Sequence, residues 1–211
     1  MGDELAKALT RVVYPTLKPQ GFRRLRTRDM IRVENGIVQR LYFQVDHWGS
    51  RRFCVTACAN LIAGNDHAFL NPGFRLGRDT ERRDMWLPSL TPEEAERSAS
   101  TVLGLIRTEA LPYFEKSRTI QGFSALLAKE EWASTHHLSF QRGVAAALEG
   151  KPRDAQQHLA DAIQAYEADG RSWCAECIDR ATQLQQALAL GAAASLLRTW
   201  ERANSRVHGI R

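Results

Sequence analysis

Arg28-Asp29-Met30-Ile31-Arg32-Val33-Glu34-Asn35-Gly36-Ile37-Val38-Gln39-Arg40-Leu41-Tyr42-Phe43-Gln44-Val45 decides the fold class. Two apolar-rich runs flank Asn35-Gly36. Both of these residues tolerate positive φ, so the stretch predicts an antiparallel hairpin closed by a two-residue turn. Such a turn pairs Glu34 with Ile37, Arg32 with Gln39, and Met30 with Leu41. One face then carries Met30, Leu41, Phe43 and Val45. A third run, Phe53 to Asn60, follows Trp48-Gly49-Ser50. Paired in phase, it adds Phe53, Val55 and Ala57 to that face, which then needs helices to cover it. The other face carries Asp29, Arg40, Tyr42, Gln44, Thr56, Cys58 and Asn60. It reads as a solvated sheet face, as a binding surface, or as a face covered by the C-terminal helices that leaves Tyr42 and Gln44 as internal contacts.

Upstream, Leu5, Leu9, Val12, Val13 and Leu17 recur at helical spacing. Asp3 is the N-cap, and Pro19 with Gly21 ends the helix. Downstream, Leu61 to Leu90 is rich in Gly, Asn, Pro and Asp, with one more short strand near Phe74 to Gly77. A connection of that length is unusual unless it is functional or mobile. Thr91-Pro92-Glu93-Glu94 opens a second helix: Thr caps, Pro takes the first turn, and the acids face the positive helix end. Pro112 should end or kink it.

From Ile120 the strand signals stop and Ala, Leu and Gln dominate. Helices are expected over 120–132, 135–149, 152–168, 172–190 and 192–204, with Gly150-Lys151-Pro152 and Asp169-Gly170 as turns. Their seams should hold Leu148, Leu159, Ile163, Tyr166, Ile178, Leu184 and Leu188. Gly143, Gly150, Ala155, Leu159 and Ala162 resemble a tetratricopeptide-type hairpin, in which small residues let two helices approach closely; an ordinary helical bundle is the alternative. The fold expected is α+β: a small antiparallel sheet of three to four strands packed on helices, followed by an all-helical part. The domains would be 1–118 and 119–211.

The 211 residues include 29 Lys+Arg and 24 Asp+Glu, a net charge of +5. Residues 1–118 hold 19 basic and 14 acidic side chains, and residues 119–211 hold 10 of each, so the excess is N-terminal. Arg23, Arg24, Arg26, Arg28 and Arg32 lead it. They form either a basic, solvated loop and strand or an anion-attracting cluster. No apolar run nears the ~20 residues of a membrane span, and no signal-peptide core opens the chain. Four cysteines are too few for a disulfide scaffold. The expectation is a cytoplasmic protein with reduced thiols.

Catalytic signatures are missing: no P-loop, no Gly-x-Gly-x-x-Gly, no Gly-x-Ser-x-Gly and no His-Glu-x-x-His. His136 and His137 are adjacent, so on a helix their side chains diverge by about 100° and make a poor metal pair. Cys174-Ala175-Glu176-Cys177 has the redox spacing but lacks the preceding strand that such sites use, so structural cysteines are expected. No catalytic residue, metal or cofactor is assigned, and the protein is not expected to be an enzyme.

Several motifs carry a resemblance. Leu17-Lys18-Pro19-Gln20-Gly21-Phe22, Arg32, Gly36, Tyr42-Phe43-Gln44, Phe74-Arg75-Leu76-Gly77, Trp86 and Glu109-Ala110-Leu111-Pro112 together resemble the bacterial "domain of unknown function 4304" family. The resemblance covers roughly the first 118 residues and not the helical part. It implies a small α+β binding protein and supplies no catalytic residues. Some members look like immunity partners of secreted bacterial toxins.

The function expected is a non-catalytic protein-binding module of the immunity type, with a toxin as partner. Its surface would be Arg40, Tyr42, Gln44 and Thr56 from the polar sheet face, with Arg75 and Trp86 from the long loop. Tyr, Trp and Arg are the residues that anchor interfaces. The alternative is a nucleic-acid binder using Arg23, Arg24, Arg26 and Arg28 with the sheet face.

Overall fold

The computed structural model describes residues 3–46, 49–64, 73–129, 135–207 and 209. In chain order these form α1 (Glu4–Ala8), a π turn (Leu9–Val13), α2 (Tyr14–Leu17), a 3-10 turn (Lys18–Gln20), β1 (Arg23–Arg26), β2 (Asp29–Glu34), β3 (Ile37–Val45), β4 (Arg52–Leu61), β5 (Gly73–Arg75) and β6 (Leu87–Pro88). Helices follow: α3 (Pro92–Leu105), a π turn (Ile106–Ala110), α4 (Leu111–Lys116), α5 (Ile120–Leu127), α6 (Thr135–Leu148), α7 (Pro152–Asp169), α8 (Cys174–Ala189) and α9 (Ala193–Val207). The chain divides into two compact units. The first holds Met1–Glu34, Val38–Cys58 and Gly73–Glu115; the second holds Asn35–Ile37, Ala59–Pro72 and Lys116–Arg211.

In the first unit the strands run β1-β2-β3-β4-β5, with β6 also on β4. Asn35 and Gly36 both have positive φ, 50° and 75°, as the two-residue turn requires. The Phe43 N–H donates to the Arg28 carbonyl at 3.0 Å, which fixes the predicted hairpin register. Among the described residues, six strands exceed the three or four expected. The extra ones are β1, whose Arg-Arg-Leu-Arg has no apolar alternation to announce it, and the two-residue β6, which contains a proline.

The apolar face emerges as read. Met30, Leu41, Phe43, Phe53, Val55 and Ala57 join one core with Leu5, Leu9, Leu17, Phe22, Val102, Ile106 and Phe114. Val45, at the end of β3, is only partly buried against that core. The Asp3 carboxylate caps α1 by accepting from the Ala6 N–H at 3.1 Å. Thr91 and Glu94 form a full capping box on α3. Pro112 does not end its helix. The π turn at Ile106–Ala110 precedes it, and the turn at Leu9–Val13 precedes Pro15 in the same way. Widening the helix by one residue there accommodates a proline that lacks an N–H and crowds the preceding turn.

In the second unit, three residues link α6 to α7, and three link α8 to α9. Such short links fold neighbouring helices back on one another. Gly143 is where α6 meets α7: a Cβ there would sit 2.7 Å from Leu159 Cγ. Leu159, Tyr166 and Leu184 are buried as expected. Ile163, Ile178 and Leu188 are half-buried. Leu148 is a correction: as the last residue of α6 it points past its neighbours and is 41 % exposed. The helix from Ile120 ends at Leu127, short of the expected 132, and Trp132 lies outside the described residues. Among the described residues no helix is long and apolar enough to cross a membrane.

Candidate functional site

The polar face of the sheet is organised in cross-strand rows. Asp46 N–H donates to Arg52 O and Ile62 N–H to Gly36 O, both at 2.9 Å, and these bonds at the two ends of the β3–β4 ladder set Tyr42 opposite Thr56. Thr56 in turn faces Arg75 on β5. Tyr42, Thr56 and Arg75 therefore make one row across three strands, within cross-strand contact distance. Arg40 lies in the next row beside Cys58, and Gln44 lies in the row on the other side, beside Cys54.

Each row is fixed by its neighbours. Asp29 and Arg40 form a two-pronged ion pair, with Arg40 Nε donating to Asp29 Oδ1 at 2.6 Å. Their side chains are only 3 % and 8 % exposed, so the pair is nearly dry. The Arg40 guanidinium also lies 5.0 Å over the Tyr42 ring. Arg75 Nη2 donates to Gln44 Oε1 at 2.8 Å, Nη1 donates to Cys54 Sγ, and Nε lies 3.7 Å from Asp84. Burial pushes the Cys58 thiol up to about 12 and the Cys54 thiol up in the same direction, so neither is a ready nucleophile.

The six residues expected to bind a partner thus separate. Tyr42, Gln44, Thr56 and Arg75 are half-buried and mutually in contact or in register. Arg40 belongs to the same face but is sunk beneath it, neutralised by Asp29. Its guanidinium packs over the Tyr42 ring, and it has little surface to offer a carboxylate from outside. Trp86 is half-buried, and its carbonyl accepts from Arg52 Nη2 at 3.0 Å. Among the described residues no hydrogen bond or ring contact ties its indole to the row.

The basic segment does not converge on one patch. On β1, Arg23 pairs with Ile31 and Arg24 with Met30, so the two side chains leave opposite faces. Arg24 lies 4.4 Å over the Tyr14 ring, Arg28 binds Asp3 at 2.6 Å, Arg26 is exposed, and Arg32 is buried and bonded to Gln39 and Glu115.

The sequence reading missed a second cluster, in the helical unit. His136 and His137 do not diverge: their rings lie 4.2 Å apart, edge to face. Both pack on Tyr166 and Trp173, and His137 Nδ1 is 2.8 Å from the Tyr166 hydroxyl. The start of α6, the end of α7 and the start of α8 meet there, an adjacency that local spacing does not encode. Burial pushes the thiols of Cys174 and Cys177 up, the direction of structural cysteines. Among the described residues no group of three His, Cys, Asp or Glu side chains is placed to hold a metal ion.

Residues 13–116 match the model of a family described as "Domain of unknown function (DUF4304)". No curated protein and no solved structure matches the chain.

Proposed function

Residues 13–116 belong to the DUF4304 family, and from that premise we propose that the chain is a non-catalytic protein-binding module that docks its partner on the Tyr42–Thr56–Arg75 row. One observation carries this reading. A half-buried tyrosine, a threonine and an arginine stand in register across three strands, the tyrosine packed against Arg40 of the Asp29–Arg40 pair and the arginine bonded to Gln44. An aromatic and an arginine whose rotamers are already fixed lose little entropy on binding, which is how interface anchors work. The buried, protonated thiols beside the row supply no nucleophile.

The partner class is a protein, and by resemblance to immunity-type members of the family, a secreted bacterial toxin. Trp86 would contribute at the margin of the surface.

The test places a photo-crosslinking amino acid at position 42 and, as a control, at exposed Leu190. Any protein that co-purifies with the chain serves as partner. Crosslinking at 42 and not at 190, with Tyr42→Ala lowering affinity while the melting temperature holds, is the expected result. Lost stability with intact affinity would assign Tyr42 to the fold and move the partner elsewhere.

A further inference from the structure

The helical unit contains a cleft of about 420 Å³ outside the DUF4304 segment, within the ~300–1,000 Å³ typical of small-molecule sites. Three consecutive helices each give it one stripe. Ser124 and Leu127 come from α5, Arg142, Ala146 and Glu149 from α6 and the turn after it, and Lys151, Asp154 and His158 from the start of α7. Buried Leu127 and Ala146 supply the apolar floor.

The charged groups divide into spent and unspent. Glu149 accepts from Ser124 Oγ at 2.6 Å and pairs with Lys151 at 2.5 Å. Burial would raise this carboxyl, but those two donors outweigh it and hold it below the usual carboxylate range. Lys151 is held chiefly by Glu149, with Asp154 adding a weaker attraction to the same ammonium. Arg142 spends only Nη2, which donates to the Leu127 carbonyl at 2.8 Å. Its Nε and Nη1 have no partner among the described residues. Neither the Asp154 carboxylate nor the His158 imidazole has a hydrogen bond there, and these two lie one turn apart on the same face of α7.

A cleft that leaves the outer guanidinium nitrogens of Arg142 and the exposed Asp154 carboxylate without a hydrogen bond, over an apolar floor, matches a ligand with the opposite pair of charges. We propose that it binds a small zwitterion, an α-amino acid or a short peptide, with Arg142 taking the carboxylate and Asp154 the ammonium. His158 adds a further hydrogen bond to the ligand. The fork of Arg142, already steadied at Nη2, offers its remaining donors to the carboxylate.

Calorimetric titration of the full chain with alanine, leucine, alanyl-leucine, leucinamide and 4-methylpentanoate tests this. Saturable binding of an amino acid or the dipeptide is expected, with leucinamide and 4-methylpentanoate weaker by about tenfold or more, the loss of one charge-assisted bond. The tighter of leucine and alanyl-leucine identifies free amino acid or peptide as the source. Arg142→Gln and Asp154→Asn should each weaken binding about as much. Asp154→Asn and Arg142→Lys keep the test independent of folding, because the first breaks no internal hydrogen bond and the second retains the charge. Three results would overturn the proposal: no saturable binding of any zwitterion at millimolar concentration, 4-methylpentanoate binding as well as leucine, or unchanged affinity in both Asp154→Asn and Arg142→Lys.

Discussion

Asp29 and Arg40 are opposite charges held almost out of water on neighbouring strands, and the cost of separating them follows from that. Removing one partner strands the other without hydration. Asp29→Ala is therefore expected to lower stability by about 3–5 kcal/mol, whereas Asp29→Leu combined with Arg40→Met recovers most of the loss. Denaturant titration of the three proteins checks this; equal loss in the single and double variants would mean that packing, not charge, sets the cost. On the opposite face, Phe43 is fully packed, 6.5 Å from the Phe53 ring. Phe43→Ala should cost roughly 3–5 kcal/mol. An almost unchanged melting temperature would contradict the register. That register was legible because the side-chain period of a strand is two and Asn35-Gly36 fixes where counting begins. The pairing of Asp29 with Arg40 was not, because two polar residues on one face read equally well as solvated or as mutually buried.

Two helical glycines give opposite expectations for one substitution. At Gly143 of α6 a Cβ would meet Leu159 Cγ at 2.7 Å and Cδ2 at 2.8 Å, so Gly143→Ala should destabilise by about 1–3 kcal/mol. At Gly104 of α3 a Cβ would meet nothing within 4 Å, and Gly104→Ala should stabilise by up to about 1 kcal/mol through helix propensity. Thermal melts of both variants decide, and an unchanged or stabilised Gly143→Ala would refute the close approach of α6 to α7. The meeting point of α6, α7 and α8 also sets an acid response. Burial holds the His136 imidazole below its ordinary 6.5, with Asp169 opposing and Arg171 reinforcing the shift. The unfolded chain then takes up that proton first, so stability falls as pH drops below 6.5. Asp169 works in the other range. Its bond from Arg171 lowers it to about 2, so its contribution is present above its ordinary 3.8 and is lost as pH falls from there towards 2. His136→Asn should flatten the first decline and Arg171→Met the second, as read by unfolding curves along a pH series. Helix ends and caps could be read ahead of the structure, because Asp3, Thr91 and Glu94 act on backbone groups three residues away. Contacts among His136, Tyr166 and Trp173 could not, because three separate helix ends supply them.

Over the whole chain a net charge of +5 is too small to commit the protein to nucleic acid. The arginines behind the excess are also divided between faces, with Arg24 on Tyr14 and Arg28 on Asp3. No gel shift with single- or double-stranded DNA or RNA at low salt is expected. A shift that weakens steeply with salt, and whose slope drops by ~1 for each of Arg23, Arg24, Arg26 and Arg28 replaced, would displace the protein-binding reading. By itself the sequence determined the α+β class, the hairpin and its register, the apolar face of the sheet and the helices after Ile120. All of these rest on local periodicity and turn chemistry, which act between residues a few positions apart. Only the tertiary structure decided that Arg40 is buried against Asp29, that Arg75 reaches Gln44 across 31 positions, and that Arg142, Asp154 and His158 share one cleft. Whether a polar side chain is spent on a neighbour or left for a ligand depends on partners brought together from distant segments, and spacing along the chain carries no record of that.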